Sequence, residues 1–300
     1  MIYQAGPIKR RRRTKAQIEL LNEQIVQVLR MDNPQSVRHV FYRMTDPRLP
    51  EPVEKTDAGY DQVQARVVKL RRDGVIPYNW IADMSRRGYF VDTFSGAGDF
   101  VRRMRNLYRS DLWEDAGVTV EVWCESRSIA SVIQSDCREL AVSLYPCGGF
   151  SSISFAHEAA QELNRTVTTY TDDTRDPVVV LYIGDFDPAG VLIDVALQRE
   201  LRQHLDPVID LQFVRLGITP EQIAVYGLPE KPRKAGDRRA PHIERTVEAE
   251  AMPAHILRGL LREAIEAHLP QDALRIAKVA EESEKKHLDK VASMLDGGAR

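Results

Sequence analysis

Six consecutive apolar residues, Val178-Val179-Val180-Leu181-Tyr182-Ile183, run straight into Gly184-Asp185-Phe186-Asp187-Pro188-Ala189-Gly190, and this junction limits the possible folds more than any other stretch. A run so short and so continuous fits a strand buried on both faces. Residues 118–124, 141–145 and 211–216 are similar runs, each set apart from the next by a helical pattern. Strands alternating with helices predict a mostly parallel sheet covered on both sides, and such sheets bind ligands at the carboxyl ends of their strands. Two strand ends carry acids. Asp185 and Asp187 alternate along an extended backbone, which predicts both carboxylates on one side, with Pro188 opening the next helix. Glu125 follows the run 118–124, with a helix starting near Ser128. Three carboxylates on one rim repel one another unless a cation sits among them, and an all-oxygen set suits Mg²⁺ or Mn²⁺ rather than zinc. The plainer alternative is that Asp185 or Asp187 caps a helix and Glu125 is a surface residue.

The first 90 residues are basic, 17 Lys+Arg against 10 Asp+Glu, whereas the remainder carries 25 against 34. Joining a basic module to an acidic one suits a protein that grips phosphates with one part and holds metal with the other; solvated surface charge is the competing explanation. Helical spacing covers 16–29. Pro34-Gln35-Ser36 then starts a second helix, with Val37, Val40, Phe41 and Met44 on one face, and a third covers 58–72. Residues 75–81 predict a short extended segment. Three helices and a strand-like wing point to a CAP-like winged-helix module over 1–92, followed by a connector over 93–115 and an α/β domain over 116–300. Candidate phosphate contacts are Arg10, Arg11, Arg12, Arg13, Lys15, Lys69, Arg71 and Arg72.

Within the second helix Arg38 and Tyr42 stand at i and i+4, so the guanidinium is expected within reach of the phenol. A tyrosine with an ordinary pKa of about 10 needs cationic help to act as a nucleophile at neutral pH, and Arg38, Arg43 and a bound metal would supply it. The same spacing also describes a tyrosine that merely flanks a core stripe. The composition, 43% hydrophobic and 29% charged, is that of a globular chain, and no apolar run reaches the length of a bilayer span. The basic run 9–13 has no hydrophobic stretch behind it, so a cytoplasmic, nucleoid-associated protein with no membrane partner is expected. Cys124, Cys137 and Cys147 are odd in number and widely spaced, and predict reduced thiols.

Ser36-Val37-Arg38-His39-Val40-Phe41-Tyr42-Arg43-Met44 resembles the active-site helix of the topoisomerase VI A subunit and of its meiotic relatives that make double-strand breaks. The segment from Tyr182 to Gly190 resembles the Asp-x-Asp-Pro-x-Gly motif of the Toprim domain in that family, and residues 216–223 and 226–229 are similar to its later Toprim segment. The likeness runs from about residue 14 to about residue 270, in the family's order. It implies an N-terminal winged helix followed by a Toprim Rossmann-like domain with a mostly parallel sheet and C-terminal helices. It further implies Tyr42 as nucleophile with Arg38 in support, Glu125, Asp185 and Asp187 as magnesium ligands, and double-stranded DNA as substrate. A homodimer follows too, in which the tyrosine of one protomer works with the metal of the other; a separate GHKL-type ATPase B subunit is a further partner the family suggests. Ser126 stands where the family often has lysine, and Gly148-Gly149-Phe150-Ser151 where Gly-aromatic-Pro is usual.

The resulting expectation is a type IIB topoisomerase A-like enzyme that cleaves duplex DNA through a 5′-phosphotyrosyl intermediate. Two alternatives stay open: a Toprim nuclease in which water attacks, and a non-catalytic winged-helix DNA-binding protein.

Overall fold

The computed structural model describes residues 13–82, 91–148, 153–167, 177–233, 236–237 and 239–297. The chain divides into two compact units, one of Met1–Ala82 with Glu250–His255 and one of Asp83–Ala249 with Ile256–Arg300.

The first unit is helical. Its elements α1 (Lys15–Met31), α2 (Val37–Met44) and α3 (Asp57–Arg72) each begin on a hydroxyl cap: Thr14 accepts from the Gln17 N–H, Ser36 from His39 and Thr56 from Gly59. Each cap satisfies an N–H that a helix start leaves open. Leu21, Ile25 and Leu29 of α1, Val40 and Met44 of α2, and Val63, Val67 and Leu70 of α3 are all buried, each worth about 1.5–3 kcal/mol of transfer energy. The late segment Glu250–His255 belongs to this unit, where the Arg43 guanidinium donates to the Ala251 carbonyl, the His255 N–H donates to Asp32 at 3.0 Å, and the His255 ring nitrogen lies 3.3 Å from the same carboxylate. The extended wing expected over 75–81 does not form. Pro77, at φ −61°, caps a 3-10 turn over Tyr78–Trp80, and the Trp80 N–H turns back to the Pro77 carbonyl at 3.2 Å. Proline has no N–H to give a strand partner, so strand-like pairing here is limited to a bridge between Gln35 and Ile81.

The second unit carries the parallel sheet. Strands β1 (Thr119–Cys124), β2 (Ser143–Pro146), β3 (Pro177–Ile183) and β4 (Asp210–Gly217) lie in the order β2-β1-β3-β4, every pair parallel. Their crossovers are α5 (Arg127–Glu139), α6 (Ile153–Val167) and α7 (Gly190–His204). Trp123, Val178, Val180 and Tyr182 meet Ala160 and Leu163 of α6 and Ile193, Leu197 and Leu201 of α7 in one core. Val122, Cys124, Val179, Leu181 and Ile183 alternate with them, all buried, which accounts for the unbroken apolar runs. From β1 the chain moves one way to β2, and from β3 the other way to β4. The carboxyl ends of β1 and β3 therefore flank the point where the winding reverses, the place where open sheets of this kind bind ligands.

Beyond the sheet come α8 (Pro220–Tyr226), the short strands β5 (Lys231–Pro232) and β6 (Arg245–Thr246), and the helices α9 (Ala254–Glu266) and α10 (Ala273–Gly297). The stretch expected to be a connector holds α4 (Ala97–Met104), which lies against α10. Arg102 pairs with Asp296, Arg105 with Asp289 at 2.5 Å and Arg109 with Glu281 at 2.7 Å. Its arginines form a docking seam within the second unit. Among the described residues no helix is long and apolar enough to cross a membrane.

Candidate functional site

The strand ends predicted to carry chemistry are neighbours. β1 and β3 pair in register up to Cys124 and Ile183, and the Glu125 N–H continues the ladder to the Ile183 carbonyl at 2.8 Å. From there Glu125 Oε2 accepts from the Asp185 backbone N–H at 3.0 Å, tying the two acidic segments together. Asp185 Oδ1 accepts from the Ala249 N–H at 2.8 Å, while Asp187 Oδ1 accepts from Ala189 at 2.9 Å and Gly190 at 2.6 Å. Asp187 thus ties down the turn that precedes α7, whose N-cap is Ala189 and whose first residue is Gly190, two residues later than Pro188 led one to expect. The alternation of Asp185 and Asp187 predicted a shared direction; their side chains instead take different backbone partners. All three carboxylates are half-buried on one rim. Among the described residues no group of three or more His, Cys, Asp or Glu side chains is drawn together closely enough to hold a metal ion. The donor set is nevertheless all oxygen and sits on two adjacent strand ends, which suits magnesium in chemistry.

An arginine that sequence reasoning passed over holds this rim in shape. Arg215 of β4 donates Nε to Ile218 O at 3.0 Å, Nη1 to Gly190 O at 3.2 Å and Asp194 at 2.7 Å, and Nη2 to the carbonyls of Gly184 at 3.2 Å and Asp185 at 2.5 Å. A planar fork with five donors can gather carbonyls from both ends of the Asp-x-Asp loop, which lysine cannot. Its sequence signal is a lone cation inside the apolar run Leu211-Gln212-Phe213-Val214-Arg215-Leu216. Gly190 is fixed sterically, since a Cβ there would lie 2.1 Å from the Asp185 carbonyl oxygen. Under the rim, burial and the Glu125 charge push the Tyr182 phenol well above its usual pKa, so it stays protonated. Burial likewise pushes the thiols of Cys137 and Cys147 up to about 12, which leaves them unreactive.

In the helical unit Tyr42 is only 3% exposed and its hydroxyl is buried. Lys55 Nζ lies 5.3 Å from the centre of the Tyr42 ring, and the exposed Arg38 sets its guanidinium over the Tyr60 ring at 5.3 Å. Lys55 sits in the loop before α3 and carried no helical pattern to flag it. Arg43 is turned to the Ala251 carbonyl, and burial lowers its pKa against the opposing charges of Asp32 and Asp46. Of the predicted phosphate contacts, Arg10, Arg11 and Arg12 lie outside the described residues. Arg13 is taken up by Glu51 at 2.7 Å, Gln62 and the Pro52 carbonyl. Lys15 is exposed beside Glu19, Lys69 pairs with Asp73 at 2.8 Å, Arg71 stacks over Tyr78 at 4.5 Å, and Arg72 is exposed. Gly149, Phe150 and Ser151 also fall outside the described residues. Comparison of the chain with protein-family models, curated proteins and solved structures finds no match.

Proposed function

We propose that the chain is a topoisomerase VI A-like transesterase that cleaves duplex DNA, with Tyr42 as the nucleophile and the rim of Glu125, Asp185 and Asp187 as the magnesium site. The observation that carries this reading is the meeting of a strand-end glutamate with an Asp-x-Asp turn at the reversal point of a parallel sheet, joined by the hydrogen bond from the Asp185 N–H to Glu125. An acidic rim of this kind acts on a phosphodiester only with a cation; magnesium bound there would neutralise charge at the phosphorus and on the departing oxygen. The tyrosine oxygen would attack in line, forming the phosphorus–oxygen bond as the 3′ oxygen leaves, so the 5′ end stays on the protein. The covalent bond conserves the energy needed for resealing. The winged-helix and Toprim assignments, the homodimer and an ATPase partner belong to the same proposal. Arg38 and Arg43 are its supporting cations, and the basic residues Lys15, Lys69, Arg71 and Arg72 its contacts with the duplex.

One observation favours a second reading, a hydrolytic Toprim nuclease: the Tyr42 hydroxyl is buried, and transesterification requires it to be uncovered when DNA binds. The two are separated by incubating the protein with magnesium and supercoiled plasmid, denaturing, and probing the 5′ ends for protein. The transesterase yields an adduct that Tyr42→Phe abolishes together with cleavage. Cleavage that survives in Tyr42→Phe without an adduct establishes the nuclease.

A further inference from the structure

Tyr182 is 0% exposed, and its hydroxyl has no hydrogen-bond partner among the described residues. A buried hydroxyl left in that state is costly unless something bound to the protein satisfies it. The ring itself is well packed: the Phe213 ring lies against it with centroids 5.8 Å apart, and the Arg215 guanidinium stands 5.7 Å from its centre. Residues two apart on a strand share a face, so the phenol and any side chain at position 184 would compete for one place. Gly184 resolves the conflict. A Cβ there would lie 2.7 Å from the Tyr182 hydroxyl oxygen and 2.6 Å from Cε1, so the glycine lets the hydroxyl reach the carboxyl end of β3.

That strand end is where the acids meet. Trp123 pairs with Tyr182 and Cys124 with Ile183, and the Glu125 N–H carries the ladder one step further to the Ile183 carbonyl, so Gly184 stands opposite Glu125. Neighbouring strands are about 4.8 Å apart, which sets the hydroxyl over Gly184 roughly one strand spacing from the Glu125 backbone. Glu125 Oε2 accepts from the Asp185 N–H, and Arg215 Nη2 holds the carbonyls of Gly184 and Asp185, so the backbone around the hydroxyl is fixed. Magnesium held by carboxylates keeps several of its waters, and groups behind the ligands orient such a site. A water bound to the ion donates hydrogen bonds, and a phenol oxygen accepts them. We propose that Tyr182 is a positioning residue of the carboxylate rim, its hydroxyl accepting a hydrogen bond from a water on the bound magnesium and so steadying the ion beside Glu125 and Asp185. This rests on reading the rim as the magnesium site.

Titration of the full chain with manganese, the free ion being counted by electron paramagnetic resonance, tests this role without depending on turnover when it is combined with thermal unfolding in EDTA. The wild type is expected to bind manganese and Asp185→Asn to lose it. Tyr182→Phe should bind about tenfold more weakly. Its Tm in EDTA should be no lower than that of the wild type, because the change removes a buried hydroxyl that has no partner in the metal-free fold. Tyr145→Phe, which removes a phenol on β2 beside the Trp123 ring, should leave the affinity unchanged. Wild-type affinity in Tyr182→Phe overturns the role and leaves the rim as the cation site. A loss of affinity accompanied by a lower Tm in EDTA, or an equal loss in Tyr145→Phe, overturns it too. A wild type that binds no manganese, or an Asp185→Asn protein that still binds it, overturns the rim and the role together. If the expected affinities appear while the wild-type protein with magnesium cuts no DNA, the cleavage reading fails and the role of Tyr182 stands.

Discussion

Glu121 shares a face of β1 with Trp123 and Glu125, yet its surroundings are those of a core residue. It is 5% exposed and accepts a hydrogen bond from Trp123 Nε1 at 2.8 Å. Burial pushes its pKa up from 4.5 to about 7; hydrogen bonds from Trp123 and Tyr145 oppose the rise, and the Glu162 charge adds to it. A carboxyl whose folded pKa is raised binds its proton more tightly in the native state, so its contribution is most favourable below pH 4.5 and is lost as pH climbs to about 7. Glu121→Gln should therefore match the wild type in acid and exceed it by about 3 kcal/mol above pH 7, as read from urea unfolding at several pH values. A constant difference across that range rules out the buried charge as its cause. This carboxylate was invisible in the sequence because it stands among strand residues with nothing to mark its neighbours. That Glu125 and the Asp185–Asp187 segment lie at neighbouring strand ends was legible because an apolar run leads into each. Arg215 was not, since its partners are main-chain carbonyls and an acid that only folding gathers.

The elements that could be read are those whose own residues decide them. The strands follow from continuous apolar runs, and α1, α2 and α3 from apolar spacing behind a threonine or serine cap. The wing was misread because the β-favouring Val75, Ile76 and Tyr78 hide the one residue that matters, Pro77. What the arginines of residues 93–115 pair with was not legible, because the acids that neutralise them lie far along the chain, 184 residues away for Arg105 and Asp289. The seam between α4 and α10 also shows which of its contacts matters most. Its ion pairs are partly exposed and worth less than about 1 kcal/mol each. Gly98, by contrast, lets the helices approach until a Cβ would sit 2.8 Å from the Ala292 backbone carbonyl. In an open helix Gly→Ala gains about 1 kcal/mol. Gly98→Ala is expected to reverse that sign and to cost more than Arg105→Ala in denaturant unfolding. A stabilised Gly98→Ala protein means the seam has room that the backbone positions deny.

At the scale of the molecule, the proposed nucleophile and the proposed metal ligands belong to different compact units, Tyr42 to Met1–Ala82 with Glu250–His255 and the carboxylates to Asp83–Ala249 with Ile256–Arg300. A duplex break needs two tyrosines and two acidic rims, and a pair of chains provides both. The transesterase reading makes each working site composite, with Tyr42 from one protomer and Glu125, Asp185 and Asp187 from the other. Tyr42→Phe and Asp187→Asn proteins should each be inactive alone. A tagged heterodimer of the two has one composite site with both parts intact and one with neither, so it should nick supercoiled plasmid, bond the Asp187→Asn chain to the 5′ end, and leave the opposite strand whole. If each chain served its own tyrosine, the heterodimer would have no intact site and produce no nick. If water were the nucleophile, Tyr42→Phe alone would already cut, and the mixture would add nothing to it. Agarose gels that separate nicked from linear plasmid, with the adduct assigned by the tag it carries, distinguish the three outcomes.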